Sequence, residues 1–240
     1  MNAMSRCFVF LLLTVSGLTL WAAEQKPHYE MGRKTFDGIG KYYFGREIAH
    51  YMTHHAAPWL ERAEREKEER PDLLHKALAL KPGEVIADIG CGTGYHSWRM
   101  AQAVGPKGVV YGVEIQKEML EHLAVQMRQR GATNVVGILG TTKDPKLPAA
   151  VDLALLVDVY HEFDFPHEMM QALCAKLKPG GRVVFVEFRA EDPKVPIKAL
   201  HKLSQAQLRK EMSAQPLVHV ETLDVLPWQH IVVFRKRAAP

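Results

Sequence analysis

The most constraining feature of the chain is the run Asp88-Ile-Gly-Cys-Gly-Thr-Gly94, which follows the short apolar stretch Val85-Ile-Ala. An apolar stretch running into alternating glycines reads as a strand ending in a tight turn. Glycine tolerates the backbone angles of such a turn and lets a ligand approach the main chain closely. Two common readings of the loop are excluded. A dinucleotide fingerprint is Gly-x-Gly-x-x-Gly, and the third glycine would fall at position 95, which is Tyr95. No Gly-Lys-Ser/Thr follows, so the loop is not a phosphate-binding P-loop. The acid at the strand end, Asp88, suits a cationic ligand better than a pyrophosphate.

Strand and helix signals alternate from there. Residues 72–80 read as a helix opened by Pro71, and residues 95–104 as the helix after the glycine loop. Residues 109–113 form the second strand. Residues 116–130 form a helix with Met119, Leu123 and Met127 on one stripe. Residues 135–139 and 151–157 are the next strands, the latter almost wholly apolar, as for a strand covered on both faces. A helix over 165–177, a strand over 182–188 and a helix over 204–212 follow. Strand-like runs at 217–226 and 230–235 are separated only by Pro227-Trp-Gln and read as an antiparallel pair. This order argues for an α/β fold with a parallel sheet and helices on both faces.

Val113-Glu114 places a second carboxylate at the end of the second strand, where it can accept the hydroxyls of a ribose. The chain now resembles a known family. Asp88-x-Gly-x-Gly-x-Gly94, Glu114 and Leu177-Lys-Pro-Gly-Gly-Arg-Val-Val184 are similar, at matching spacings, to the class I S-adenosylmethionine-dependent methyltransferases. The resemblance covers about residues 70–235. It implies a Rossmann-like, seven-stranded, mostly parallel sheet with an antiparallel last strand, and S-adenosyl-L-methionine as cofactor. It assigns cofactor binding to Asp88, Gly90, Cys91, Gly92, Gly94 and Glu114, with Ile115 packing on the adenine. Many members carry an Asp soon after strand three for the adenine amino group. Here the stretch is Gly140-Thr-Thr-Lys-Asp144, so Thr141, Thr142 or a back-reaching Asp144 takes that place.

The acceptor side is expected after strand four, in Leu156-Val-Asp-Val-Tyr-His-Glu-Phe163. Asp158 is assigned to the cofactor's amino group, and Tyr160, His161 and Glu162 to catalysis facing the acceptor. Histidine fits a base because its pKa lies near neutrality. The turn lacks the Asn/Asp-Pro-Pro-Tyr/Phe sequence of enzymes resembling DNA amino-methyltransferases. A net charge of +4 also falls short of the concentrated basic face of a nucleic-acid binder. No nucleic-acid partner is expected, and the acceptor is expected to be a small molecule. The alternatives are a protein methyltransferase or a non-catalytic protein that binds the cofactor.

Residues 1–23 read as a signal peptide or anchor: Arg6, an apolar run to Leu20, then Ala22 and Ala23. Export to a periplasmic or external compartment follows if the leader is cleaved, membrane anchoring if it is not. No other stretch is long and apolar enough to span a bilayer. Residues 24–70 read as a helical lid extension, helical from 46 onward, and 71–240 as the methyltransferase domain. The aromatic cluster from Phe36 to Phe44, with Tyr42 and Tyr43, is a candidate either to line an acceptor pocket or to serve as a docking surface, and Lys194-Val-Pro-Ile-Lys198 is a second candidate lid segment. The charged run 61–70 reads as a solvated helix face. No metal site is assigned: His50 and His54, one helical turn apart, read as surface or packing residues, and no Cys-x-x-Cys pair exists.

Overall fold

The computed structural model describes residues 28–237. The proposed leader at 1–23 lies outside them. Among the described residues no helix is long and apolar enough to cross a membrane.

Seven strands form the central sheet. They are β4 (Val85–Ile89), β5 (Val109–Glu114), β6 (Val135–Leu139), β7 (Val151–Val157), β8 (Leu177–Phe188), β9 (Leu217–Leu223) and β10 (Gln229–Lys236). Their spatial order is β6-β5-β4-β7-β8-β10-β9. Only β10 runs against its neighbours, pairing antiparallel with both β8 and β9. The expected sheet, with an antiparallel last strand, is therefore present. The apolar run of β7 has a two-sided reason. Leu153 and Leu155 pack with Leu74 and Leu78 of α3 (Pro71–Leu78) and Met100 of α4 (Ser97–Val104). Ala154 and Leu156, pointing the other way, pack with Met170 and Leu173 of α6 (Pro166–Lys176) and Leu208 of α7 (Gln205–Met212). Both faces of a strand that alternates with period two are thus buried. The helix α5 (Lys117–Gln129) buries Met119, Leu123 and Met127, the stripe read from the sequence.

The segment before α3 departs from the expected helical extension. Residues 29–49 form a three-stranded antiparallel sheet: β1 (Tyr29–Met31), β2 (Gly38–Tyr43) and β3 (Arg46–Ala49). A two-residue turn joins β2 to β3, with Phe44 at φ 51° and Gly45 at φ 88°. Positive φ at both central residues is the hairpin geometry that matches strand twist. Phe44 tolerates it while stacked at 4.4 Å on His28. Phe-Gly lacks the usual Asn-Gly signal, so the charge pattern alone suggested a helix. Only a one-turn helix, His54–Ala56, and two four-residue helices follow, α1 (Ala57–Leu60) and α2 (Arg65–Glu68). None of Phe36, Tyr42, Tyr43 and Phe44 lines the main cleft of the protein: Phe36 is exposed, while Tyr43 is buried and the neighbouring Tyr29 hydroxyl donates to Glu168 of α6.

One ion pair ties the small sheet to the large one. Arg46 meets Glu211 of α7 in a two-pronged contact, Nε to Oε1 at 2.8 Å and Nη2 to Oε2 at 3.0 Å. Its Nη1 donates to the His161 carbonyl at 3.0 Å. The Glu211 side chain is fully buried and also accepts from the Tyr160 hydroxyl. Removing one partner of a buried pair leaves an uncompensated charge. Arg46→Ala is expected to lower stability by about 3–5 kcal/mol in urea unfolding. A loss under about 1 kcal/mol would mean water reaches Glu211 and the pair is effectively exposed.

Candidate active site

At the end of β4 the chain turns through Gly90 and Gly92, at φ +68° and +53°. The N–H groups of Gly90 and Cys91 both donate to the Val113 carbonyl, at 2.8 and 3.0 Å, which pins the turn to β5. A Cβ at Gly90 would overlap the Val159 side chain, and one at Gly92 would lie 2.6 Å from Leu60 Cδ1. Both positions therefore need glycine for conformation and for space. Asp88 beside them is buried and accepts from the Ser97 hydroxyl at 2.6 Å. Burial pushes its carboxyl up from 3.8 to about 6, the Ser97 hydrogen bond only partly offsetting it. Glu114 caps β5, its carboxylate receiving the N–H groups of Ile115 at 2.7 Å, Gln116 at 3.1 Å and Gly92 at 3.3 Å. Burial raises its pKa despite these three donors.

Facing this wall is the turn after β7. Asp158 takes φ 49°, a conformation a non-glycine residue adopts only under constraint. Its N–H is held by the Val186 carbonyl at 2.8 Å, and its Oδ2 accepts from Gln229 Nε2 at 2.7 Å. Its Oδ1 is buried with no protein partner. A one-turn helix, Tyr160–Glu162, follows. Glu187 of β8, itself fully buried, takes the Tyr160 N–H at 3.0 Å and the His161 Nδ1 proton at 2.6 Å. Burial disfavours a charged His161, but the Glu187 carboxylate outweighs it and the pKa lies above the ordinary value. His161 Nε2 is left facing His201 Nδ1, 3.2 Å away.

These two walls enclose a cleft of about 520 Å³, within the range of small-ligand sites. Met52, Trp59, Leu60 and Arg65 line it from the N-terminal segment, and Pro196, Ile197 and Lys198 from the loop after β8. Both segments named from the sequence as lids border the cleft. Of the residues proposed from the sequence, Asp88, Gly90, Cys91, Gly92, Glu114, Ile115, Thr142, Asp158, His161 and Glu162 share it. Three do not. Gly94 packs under α5, where a Cβ would overlap Leu123. The Thr141 hydroxyl instead caps a turn, accepting the Asp144 N–H at 3.0 Å. Tyr160 is corrected from an acceptor-facing residue to a core residue: it is fully buried, with its hydroxyl on Glu211.

Arg65 and His201 line the cleft without having been singled out. The run 61–70 is only in part the solvated face expected of it: Ala63, Glu64, Glu66 and Lys67 are exposed, but two of its charges are not. Arg65 and Glu69 are 5% and 3% exposed and pair at 2.7 Å, and Arg65 stacks 4.1 Å over the Tyr95 ring. The i,i+4 spacing of opposite charges looks the same on a buried helix as on an exposed one, so the sequence carried no signal.

A methyltransferase-domain family matches residues 80–232, more than half of the chain. The chain belongs to this family. The fold is similar to the crystal structure of a SAM-dependent methyltransferase from Aquifex aeolicus, with a TM-score of 0.72 at 19% identity, covering 77% of this chain and 99% of that one. Among curated relatives, a tRNA U34 carboxymethyltransferase of Desulfotalea psychrophila is 32% identical over 51% of this chain and 38% of its own length. A protein-L-isoaspartate O-methyltransferase of Ignicoccus hospitalis is 31% identical over 45% of this chain and 49% of its own. Nocamycin O-methyltransferase of Saccharothrix syringae is 38% identical over 29% of this chain and 25% of its own. The chain thus spans a quarter to a half of these relatives' lengths.

The cofactor of the family is S-adenosylmethionine, and the residues present fit it. The molecule carries an ammonium and a sulfonium, and the cleft offers the buried carboxylates Asp88 and Asp158, the latter with an oxygen lacking any protein partner. It carries a ribose diol, and Glu114 stands at the end of β5 beside Ile115, which is 37% exposed and free to cover a flat ring. Gly90 and Gly92 also line the cleft with bare backbone, so a ligand meets main chain there.

The titration of Asp88 supplies a check. Between about pH 4 and 6 the folded protein holds a proton on Asp88 that the unfolded chain has released, so stability falls as pH rises across that window. In Asp88→Asn this dependence is absent. Relative to the parent, the variant should gain roughly 3 kcal/mol between pH 4 and pH 7 in urea unfolding. A difference that stays constant across the window would show that Asp88 is solvated.

Proposed function

We propose that the protein transfers a methyl group from S-adenosylmethionine to a small-molecule acceptor by in-line displacement. The observation that carries this reading is the cleft that joins the glycine turn to the His161–Glu162 corner. Bound there, the cofactor supplies an electrophilic methyl group on a sulfonium. The chain's own residues do the rest. Gly90 and Gly92 admit the ligand against the backbone, while Asp88 and Asp158 answer its positive charge. Glu114 holds the ribose, with Thr142 and Ile115 at the adenine end. Their fixed positions aim the methyl at the acceptor, and alignment of this kind is a large part of rate enhancement.

The acceptor enters at His161 Nε2 and Glu162. The strap before α1 and the loop 196–198 cover that end: Met52 N–H donates to Glu162 Oε2 at 3.1 Å, and its carbonyl accepts from Gln116 Nε2 at 2.9 Å. A covered mouth favours a compact acceptor over a polymer. The relatives named for nocamycin and aklanonic acid methylation act on small molecules by those names, which supports the same class here.

Calorimetric titration with S-adenosylmethionine should show one site, and Glu114→Ala should weaken binding by about tenfold or more through the lost charge-assisted hydrogen bonds. With methyl-labelled cofactor and cell extract, label should collect in the low-mass fraction, and His161→Ala should reduce its rate of appearance. Label found in protein or RNA would contradict the small-molecule reading, and undiminished labelling by His161→Ala would remove that residue from catalysis.

A further inference from the structure

Three donor atoms from two distant parts of the chain converge at the acceptor end of the cleft: His161 Nε2, His201 Nδ1 and Glu162 Oε1. Their separations are 3.2 Å between the two nitrogens, 3.4 Å from His201 to Glu162 and 3.9 Å from His161 to Glu162. Among the described residues this is the only group of three such side chains whose donor atoms meet. Two ligands each about 2.1 Å from one ion at a tetrahedral angle stand about 3.4 Å apart, close to two of the three separations, with the His161–Glu162 one longer.

We propose that His161, Glu162 and His201 form a binding site for a divalent transition-metal ion of the zinc type, and that its open position receives a hydroxyl-bearing acceptor. Four features support this beyond proximity. First, Glu187 takes the Nδ1 proton of His161 at 2.6 Å, so the lone pair of Nε2 points to the other two donors. A metal-bound histidine typically has its far nitrogen held by a carboxylate in this way. Second, the Glu162 carboxylate is positioned from its other oxygen by the Met52 N–H, leaving Oε1 to the histidines. Third, the donor set of two imidazoles and one carboxylate suits zinc, cobalt, iron or manganese rather than magnesium or calcium, which take oxygen ligands. Fourth, all three residues line the cleft. Three protein ligands with one position open to a pocket is the arrangement of a metal that meets substrate. A simple His–His hydrogen bond would account for the 3.2 Å contact but not for Glu162 Oε1 closing the triangle.

The site deepens the small-molecule methyltransferase reading, on which its acceptor part rests: an acceptor oxygen held here sits at the end of the cleft where the methyl must arrive. A bound ion also makes His161 a ligand and not a free base.

The experiment uses the full chain stripped with a chelator, then titrated with Zn²⁺ in a calorimeter and with Co²⁺ followed by visible absorption. One ion per chain is expected, with the intense absorption of low-coordinate Co²⁺. His201→Ala should weaken Zn²⁺ binding by about a hundredfold, and Glu187→Gln, which touches no ion, by about 10–100-fold. S-adenosylmethionine binding by the metal-stripped parent is measured in parallel, which separates failure of the metal site from failure of the methyltransferase reading. Zn²⁺ should raise the melting temperature of the parent and not of His201→Ala, a readout that requires both to be folded. Absence of stoichiometric Zn²⁺ binding, or equal affinity in His201→Ala, would overturn the site.

Discussion

The strands β4 and β7 lie side by side and parallel, but the chain leaves them in opposite directions. From β4 it builds outward through β5 and β6, and from β7 outward through β8, β10 and β9. Where the direction of winding reverses, no connection covers the carboxyl ends of the strands, and a crevice opens that the fold must fill with ligand or loop. Every candidate group in the cleft follows from this. Asp88 and the glycine turn come off β4, Glu114 off the neighbouring β5, and Asp158 to Glu162 off β7. Residues far apart in sequence meet because register pairs Asp88 with Leu155 on one side and with Gly112 on the other.

A crevice of this kind collects buried charge, and the structure balances it by bracing each group through backbone or an opposite partner. Glu187 ties the β7 turn to β8 through Tyr160 and His161. Arg46 and Glu211 pin the same turn from outside, bringing the small N-terminal sheet against it. Arg65, paired with Glu69, brings a cation to the cofactor wall, and Thr93 donates to Glu61 at 2.5 Å to hold the end of α1 on the glycine turn. The N-terminal segment is thus structurally part of the cleft. Asp158 is the exception, with one oxygen lacking a protein partner. Unsatisfied buried polar atoms are rare enough to call for an explanation, and a cationic ligand supplies one.

What could be read from the sequence follows period and local chemistry. The central strands, the amphipathic α5 and the closing antiparallel pair were legible because burial imposes a repeat on them. The glycine turn and the two strand-end acids were legible because backbone strain and ligand charge select residue types at fixed spacing. Tyr160 was misplaced because a one-turn helix rotates neighbours by about 120° each, sending His161 to the cleft and Tyr160 into the core. The β2–β3 hairpin was missed because Phe44 occupies a position usually held by Asn. Glu187 and His201 carried no local signal, because each matters through His161, 26 and 40 residues away; Arg65 pairs locally with Glu69, but its burial comes from packing on Tyr95, 30 residues on.

The central claim is that one crevice at the strand reversal binds the methyl donor and positions it for transfer. A crystal structure of the full chain with S-adenosylhomocysteine, the demethylated product, tests it most directly. The account predicts the amino-acid end of the ligand against Gly90 and Asp158, its ribose hydroxyls on Glu114, and its sulfur facing the His161–Glu162 corner. A ligand bound elsewhere, or lying in the crevice with its sulfur turned away from that corner, would contradict it.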